Sequence, residues 1–415
     1  MDQLKMPVGH CSASASRTDK LIWLLFCATS LQLAFLHPYL VLIPGERANL
    51  FSGLLCALTL GAACLFAKKE TIDKKSPEVL ISLALALLVF FSGIFSLTPG
   101  SSSARGFIVL ASGLGGFWCA RILLTPESRQ RFFIRLSLIM LAGILLLSLI
   151  SYFFWGNVYL IMDGNPHPLD TRILILWFAP LALLFGRSGS GKIVAALLLA
   201  VSYLVFYLSG LRSAMLIPLI LCLLASLFGA LRFKYLLLIF LPLMGIISYF
   251  FYHLPQEKIG KEFEPAYYRA ENYPFSWHIA LKHPLLGIGL RAPREEFLKD
   301  YEIRYPYVTR ENFVDSVTRI RSSENIFLTF MAEVGFPFLI LYLFSLVILF
   351  IRLVRRAARP SPAYFLPPLA LLLPLAAALL QFQVLDGLLH PQISWFFHLL
   401  LGLIPPRDGY LPAKT

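Results

Sequence analysis

Long apolar runs alternate with short polar segments along most of this 415-residue chain. About 20 apolar residues in a helix cross the ~30 Å hydrocarbon core of a membrane. The pattern therefore predicts an all-α polytopic membrane protein with about 12 transmembrane helices. The predicted spans lie near residues 21–43, 51–67, 79–97, 106–124, 133–154, 172–186, 193–211, 213–230, 235–251, 325–351, 364–382 and 388–405.

One long polar segment, residues 252–323, separates the ninth and tenth predicted helices. Residues 251–323 hold eleven Lys/Arg and ten Asp/Glu, with many Tyr, Phe and Pro among them. Disordered segments instead combine low hydrophobicity with high net charge. We therefore predict a large, partly helical loop that folds as a cap. The predicted order is a tail, nine helices, the cap, three helices and a second tail (1–20, 21–251, 252–323, 324–405 and 406–415).

Composition and charge agree with a membrane protein and indicate its orientation. Charged residues make up 14% of the chain, against about 25% in an average soluble domain. The net charge of +13 is spread over short loops between apolar runs, which argues against a nucleic-acid-binding face. With the N-terminus inside, the cytoplasmic segments hold 21 Lys/Arg, and the short outward loops hold only four, namely Arg47, Arg105, Arg172 and Arg212. This bias predicts cytoplasmic termini and an outward-facing cap.

Several chemistries are excluded by motifs that the sequence lacks. It contains no P-loop, which argues against ATP-driven transport by this chain alone. It has no Asp-x-Asp pair and no His-Glu-x-x-His, and its six cysteines show no metal-binding spacing. We therefore expect no metal site and no cofactor.

Polar groups that could carry chemistry concentrate at the predicted outer face. Arg212 lies in the tight turn Leu208–Ser213 between two predicted helices. Arg269 begins a stretch that continues through Trp277 to His-Pro-Leu-Leu-Gly-Ile-Gly over 283–289. Glu324-Asn325 stands immediately before the tenth predicted helix, where a carboxylate could act as a general base. An acidic, turn-rich stretch over 163–170 is the fourth feature.

Each feature also has a purely structural explanation. Arg212 could snorkel to the interface, although an arginine near an apolar bundle usually has an anionic partner. Arg269 could pair with a local acid on a surface helix, and the reserve base candidates His278 and His283 could be structural. Glu324 could simply be stabilised by the partial positive charge at the N-terminus of a helix. The stretch over 163–170 is most simply a connector.

Taken in order, these motifs resemble those of the O-antigen ligase and O-antigen polymerase superfamily (Wzy-C type), integral membrane glycosyltransferases of bacterial envelopes. The topology is also similar, with about 12 helices and a large periplasmic loop before the tenth. One position departs, because ligases of the family usually have His-Asn where this chain has Glu324-Asn325. The resemblance rests on Leu208–Ser213, Arg269, Trp277, the motif over 283–289, Glu324-Asn325 and Ala-Glu-Val-Gly over 332–335.

The resemblance implies an inverting, metal-independent transferase in the bacterial inner membrane, with its active site on the periplasmic side. The donor would be a glycan on undecaprenyl diphosphate. The acceptor would be a sugar hydroxyl of lipid A–core in a ligase, or another lipid-linked glycan in a polymerase. Arg212 and Arg269 match the family's two arginines and would bind the diphosphate through bidentate guanidinium contacts. Glu324 would then be the catalytic base.

Three other functions stay open beside ligase-like transfer. The first is a polymerase that joins lipid-linked repeat units of O-antigen or exopolysaccharide. The second is a transporter or flippase of a lipid-linked or anionic solute, and the third is a non-catalytic scaffold in envelope assembly. Only the two transferases form a new glycosidic bond, so a covalent product distinguishes them from the others.

Alanine in place of Arg212 or of Arg269 should remove most glycan transfer, because the leaving diphosphate would lose a positive partner that no metal replaces. The measurement is the amount of surface polysaccharide joined to its acceptor, at matched protein levels. Full activity in both variants would contradict the assignment of these arginines.

Overall fold

The protein was analysed as a computed structural model. The structure describes residues 17–36, 47–66, 76–158, 166–186, 191–210, 212–227, 256–304, 308–320, 323–358 and 365–405. These ranges consist of helices joined by turns and contain no strand. The prediction of an all-α polytopic membrane protein is therefore confirmed.

The described ranges contain fifteen α-helices. Short helical turns accompany them: a π-helical segment, Gln32–Leu36, follows α1, and 3₁₀ turns occur at Glu295–Leu298 and Gly387–Leu389. The α-helices are Arg17–Leu31 (α1), Arg47–Phe66 (α2), Pro77–Ile94 (α3), Pro99–Leu123 (α4), Glu127–Trp155 (α5), Pro166–Leu176 (α6), Phe178–Phe185 (α7), Lys192–Ser209 (α8), Arg212–Leu227 (α9), Gln256–Lys282 (α10), Arg310–Ile320 (α11), Ile326–Glu333 (α12), Phe336–Ala358 (α13), Pro368–Gln381 (α14) and Pro391–Gly402 (α15).

Eight helical stretches within the described ranges are long and apolar enough to cross a membrane. Two shorter apolar helices, Ser213–Ser226 and Pro368–Gln381, add to them. The predicted ninth span, 235–251, lies outside the described residues, so the count of about 12 stays a prediction. The eight are Arg17–Leu36, Ala48–Leu65, Pro77–Ile94, Pro99–Leu123, Glu127–Trp155, His167–Phe185, Lys192–Ser209 and Phe336–Ala358.

Two features of the predicted spans are wrong in detail. The predicted single span 325–351 is divided into α12 and α13 by a break at Val334 and Gly335, whose φ is +101°. Arg105 and Arg172 were predicted in outward loops, but both are buried inside helices, α4 and α6. The reason is that α4 and α6 begin several residues before their apolar runs. In the sequence, only the apolar run marks a span.

Helix ends in the bundle follow local side-chain chemistry. The hydroxyl of Ser76 accepts a hydrogen bond from the N–H of Val79 at 3.3 Å, and Pro77 occupies the first position of α3. At the end of α8, Gly210 takes the left-handed conformation with φ of +72°. This glycine explains the tight turn between α8 and α9 that the Leu208–Ser213 sequence predicted.

The helix α4 forms the centre of the bundle, where it packs against α2, α3 and α15. Its contact with α15 is close because small residues face the partner backbone. A Cβ atom on Gly116 would lie 2.4 Å from the carbonyl oxygen of Trp395, and one on Gly402 would lie 2.3 Å from that of Phe117. Small residues let membrane helices approach in this way. The close contact fixes α15, and with it the loop that precedes this helix.

The cap has a small hydrophobic core of its own. Phe275 on α10 stacks edge-on against Tyr301 and Phe313, with ring centroids 5.0 and 5.6 Å apart. The carboxylate of Glu271 accepts hydrogen bonds from the hydroxyl of Tyr301 at 2.5 Å and from the N–H of Arg304 at 3.2 Å. Aromatic packing and a buried carboxylate thus hold the loop after α10 against this helix.

The loop after α10 is also fastened to the break between α12 and α13. The N–H groups of Ile288 and Gly289 donate to the carbonyls of Ala332 and Glu333, at 3.1 and 2.9 Å. In the opposite direction, the N–H of Phe336 donates to the carbonyl of Pro284 at 2.9 Å. The two motifs over 283–289 and 332–335 are therefore one packed unit, and their glycines allow the backbones to touch.

Replacing Gly335 by alanine should destabilise this unit by about 2–4 kcal/mol, because it combines a left-handed strain with an overpacked contact. The new Cβ would lie 2.3 Å from the carbonyl oxygen of Leu285. Gly61→Ala in α2 is the matched control, since nothing lies within 4 Å of its Cβ position. The thermal unfolding temperature in detergent measures both. Equal unfolding temperatures for Gly335→Ala and Gly61→Ala would contradict the close contact between Gly335 and Leu285.

Candidate functional site

The site begins at the N-terminus of α12, which Asn325 caps. Its Oδ1 accepts hydrogen bonds from the N–H groups of Phe327 and Leu328, at 3.1 and 3.3 Å. An asparagine at this position satisfies donors that have no partner within the helix. Its Nδ2 donates to Oε1 of Gln383 at 3.1 Å, which joins the cap residue to the loop between α14 and α15.

Glu324, the predicted base, is half-buried and has a left-handed backbone with φ of +52°. For a residue other than glycine this conformation costs roughly 1–2 kcal/mol. The surrounding contacts offset it, because the N–H of Glu324 donates to Oδ2 of Asp386 at 3.1 Å. Strained residues that their neighbours hold in place cluster at functional sites. The strained backbone of Glu324 is an observation that does not depend on its motif.

Asp386 connects Glu324 to a set of buried polar side chains. Its other oxygen, Oδ1, accepts from the hydroxyl of Thr329 at 2.6 Å, and Thr329 accepts from the N–H of Ser323 at 3.1 Å. The hydroxyls of Ser323 and Ser276 lie 2.5 Å apart, and Nη1 of Arg294 donates to both. We call Ser276, Arg294, Ser323, Thr329, Glu333 and Asp386 the outer polar network.

Within this network, Arg294 and Glu333 form a fully buried ion pair. Nη2 of Arg294 lies 2.5 Å from Oε1 of Glu333, and the two side chains are 1% and 0% exposed. Oε2 of Glu333 accepts from the N–H of Arg291 at 2.8 Å. Breaking a buried pair by removing one partner costs about 3–5 kcal/mol, because the other charge is left uncompensated. The pair therefore joins the cap firmly to α12.

Arg291 is the second residue other than glycine with a left-handed backbone, with φ of +54°. Its backbone bond to Glu333 holds this conformation, and its side chain is half-buried. Among the described residues, its Nε is buried without a hydrogen-bond partner. The charges of Arg291 and Glu333 both act on the buried guanidinium of Arg105 in α4.

Charged side chains of both signs surround the network. Arg105, Arg291 and Arg294 are positive, and Glu324, Glu333 and Asp386 are negative. Among them, the half-buried guanidinium of Arg291 is the kind of group that binds an anion such as a diphosphate.

The two histidines proposed as reserve bases pack against aromatic rings. The ring of His278 lies 5.6 Å from that of Tyr301, and the ring of His283 lies 5.5 Å edge-on from that of Phe297. Partial burial and the nearby charge of Lys282 lower the pKa of His278. These contacts favour a structural role for both histidines over the role of base.

The side chains of Arg212 and Arg269 lie outside the part of the chain that the structure describes. Their backbones begin α9 and belong to α10, respectively. Next to the turn that precedes Arg212, the hydroxyl of Ser209 donates to Oδ2 of the fully buried Asp170 at 2.9 Å. The role of the two arginines stays a prediction.

The acidic stretch over 163–170 was predicted to be a connector, and this is wrong for its last five residues. Residues 166–170 form the start of α6, and 163–165 lie outside the described residues. The carboxylate of Asp170 is placed by this helix against Ser209, in the motif that contains Arg212. The physical reason for the error is that Pro166 can occupy the first turn of a helix as readily as a loop.

The sequence did not single out Arg291 and Arg294 as site residues, although both follow directly after the glycine motif. Asp386 was not among the predicted site residues either. Their partners are 39 to 62 positions away in sequence, as for Arg294–Glu333 and Glu324–Asp386, so no local pattern pairs them. Within the described ranges, no three His, Cys, Asp or Glu side chains come together as metal ligands.

Comparison with known families identifies the stretch that contains most of this site. Residues 173–343 match the family model Wzy_C, described as O-Antigen ligase. No curated protein matches the chain. The matched stretch includes the α8–α9 turn, the cap, Glu324-Asn325 and the Arg294–Glu333 pair, whereas Asp386 lies beyond it. The match supports the predicted resemblance to the O-antigen ligase superfamily over this stretch.

Proposed function

We propose that this protein is a glycosyltransferase of the O-antigen ligase superfamily that acts at the periplasmic face of the bacterial inner membrane. It moves a glycan from undecaprenyl diphosphate to a sugar hydroxyl of lipid A–core. The family match supports lipid-linked glycan chemistry in general, and the ligase assignment is our choice within it. A polymerase that joins lipid-linked repeat units uses the same donor and is the alternative.

The observation that carries the proposal is the position of Glu324. A strained, half-buried carboxylate stands at the capped start of α12, held through Asp386 and the outer polar network, inside the matched stretch. It stands in the position where family ligases have histidine. A carboxylate can accept a proton as histidine does, so the substitution keeps the required chemistry.

The proposed reaction is a single displacement with inversion. Glu324 takes the proton of the acceptor hydroxyl as its oxygen bonds to the anomeric carbon of the donor sugar. The bond from that carbon to the diphosphate oxygen breaks, and undecaprenyl diphosphate leaves with the electron pair. Arg212 and Arg269 bind the leaving diphosphate, and permanent guanidinium charges stabilise it as negative charge develops there.

We add Arg291 to this set as a third contact to the donor phosphates. Glu333 holds its backbone N–H, and its buried Nε has no hydrogen-bond partner among the described residues. An arginine whose backbone is fixed in this way loses less conformational freedom when an anion binds. Arg294, in contrast, is fully buried and paired, so we assign it to positioning the loop.

Glu324→Gln should lower turnover at least about 100-fold while donor affinity stays nearly constant, because only proton acceptance is removed. Glu302→Gln, at an exposed position of the cap, is the matched control and should keep full turnover. Initial rates and donor binding are measured on purified protein. Unchanged turnover in Glu324→Gln would move the role of base to a histidine or to a mechanism without a protein base.

Arg291→Gln should raise the apparent KM for the lipid-linked donor roughly tenfold, because one charge-assisted hydrogen bond to phosphate is lost. Arg304→Gln is the control, since Arg304 is an exposed arginine of the same cap. A change of the same size in both variants would show only a general effect of surface charge. It would remove Arg291 from the site.

Reconstituted protein distinguishes the function classes directly. Liposomes receive lipid-linked glycan together with either lipid A–core or further lipid-linked repeat units as acceptor. A covalent product with lipid A–core identifies a ligase, and lengthened lipid-linked glycan identifies a polymerase. Movement of the donor across the membrane without either product would support a transporter or flippase and contradict the proposal.

A further inference from the structure

An apolar groove runs between α3, α4, α13 and α15, on the membrane side of the outer polar network. On α13 its lining extends from Phe338 to Arg352, which is about 21 Å at 1.5 Å per residue. Its empty space, counted with its open side, is about 970 Å³. Apart from the end that contains Glu78 and Arg352, the groove is lined mainly by aliphatic and aromatic side chains. Two polar lining residues, Tyr342 and His398, are hydrogen-bonded to each other at 3.2 Å.

The groove ends at a group of charged side chains on the face predicted to be cytoplasmic. Oε1 of Glu78 accepts from Nη1 of Arg352 at 2.8 Å and from Nη2 of Arg121 at 3.2 Å. Glu78 and Arg352 also line the groove. A third arginine, Arg356, lies one turn further along α13 and acts electrostatically on Arg121. We call these four residues the inner charge cluster.

Among the described residues, the Glu78 carboxylate is shared by two guanidinium groups, those of Arg121 and Arg352. All three side chains are partly buried, with exposures of 10% for Arg121, 17% for Glu78 and 27% for Arg352. Two guanidinium groups on one carboxylate are costly in such surroundings, and an anion would lower that cost. Basic pockets between membrane helices on the cytoplasmic side bind anionic lipid headgroups for this reason.

We propose that an anionic phospholipid binds here, with its phosphate at Arg352 and Arg121 and one acyl chain in the groove. The cluster and the groove are continuous because Arg352 and Glu78 belong to both. A groove of about 21 Å exceeds half of the ~30 Å hydrocarbon core, so it can take a chain from the adjacent leaflet. The lipid would thereby join α3, α4 and α13.

This lipid differs from the proposed donor by its position. Arg352 follows Phe336 by 16 residues along α13, about 24 Å, and Phe336 is fastened to the loop that carries Arg291. A diphosphate held at the outer polar network therefore cannot also reach the inner charge cluster. The two sites bind different headgroups at opposite ends of the same helix.

Native mass spectrometry of the purified full-length chain tests the headgroup. The protein is mixed with equimolar phosphatidylglycerol and phosphatidylcholine of identical chains. We expect preferential retention of phosphatidylglycerol, and about fivefold less of it in Arg352→Gln. Arg355→Gln is the matched control, since Arg355 is exposed on the same helix and does not line the groove. No preference in the wild type, or equal loss in both variants, would overturn the proposal.

A second pair of variants tests the groove. Ser345→Phe places a ring among the lining residues, whereas Val347→Phe adds the same ring on the exposed side of α13. Only Ser345→Phe should reduce phosphatidylglycerol retention, at an unfolding temperature close to that of wild type. If it does not fold, the Arg352→Gln comparison decides alone.

Competition experiments identify other occupants. Glycerol phosphate has the headgroup charge without chains and should not displace the lipid at equal concentration. Displacement by it would show an anion site only. Displacement by an equimolar polyprenyl phosphate, abolished in Arg352→Gln, would show a donor-lipid site. Either result would overturn the phospholipid assignment.

Discussion

The buried ion pair between Arg294 and Glu333 is the interaction on which the packing of the cap against α12 depends. It joins the loop after α10 to α12, and both side chains are nearly inaccessible. A loss of about 3–5 kcal/mol on removing one partner is large against a typical total stability of 5–15 kcal/mol. The same carboxylate holds the backbone of Arg291, so the pair also determines where a neighbouring positive charge is placed.

The remaining architecture keeps this pair next to Glu324. Small residues bring α4 and α15 into backbone contact, and this places the loop that carries Asp386. Asp386 then holds the N–H of Glu324 and the hydroxyl of Thr329. A predicted base that would otherwise stand on an isolated turn is thereby tied to the loop between α14 and α15. Rigid support of this kind is what a catalytic group requires.

The sequence predicted the helical membrane class because apolar length alone decides which segments cross a bilayer. The motifs over 283–289 and 332–335 both contributed to the family resemblance, but no local pattern predicted that they form one packed unit. Long-range pairs such as Glu324 with Asp386 could not be foreseen, since 62 positions separate them and no periodicity relates them. The break at Gly335 was missed for a different reason, because α12 and α13 are both apolar and read as one span.

The left-handed backbone at Glu324 restricts which side chains can replace it. Histidine, asparagine and aspartate occupy this conformation several-fold more often than other residues apart from glycine. Histidine, the usual family residue at this position, therefore suits both the chemistry and the backbone, whereas glutamate suits mainly the chemistry. The bond from Asp386 supports the left-handed backbone at Glu324. This position therefore accepts a side chain outside the group that its backbone favours, as long as Asp386 keeps its place in the loop.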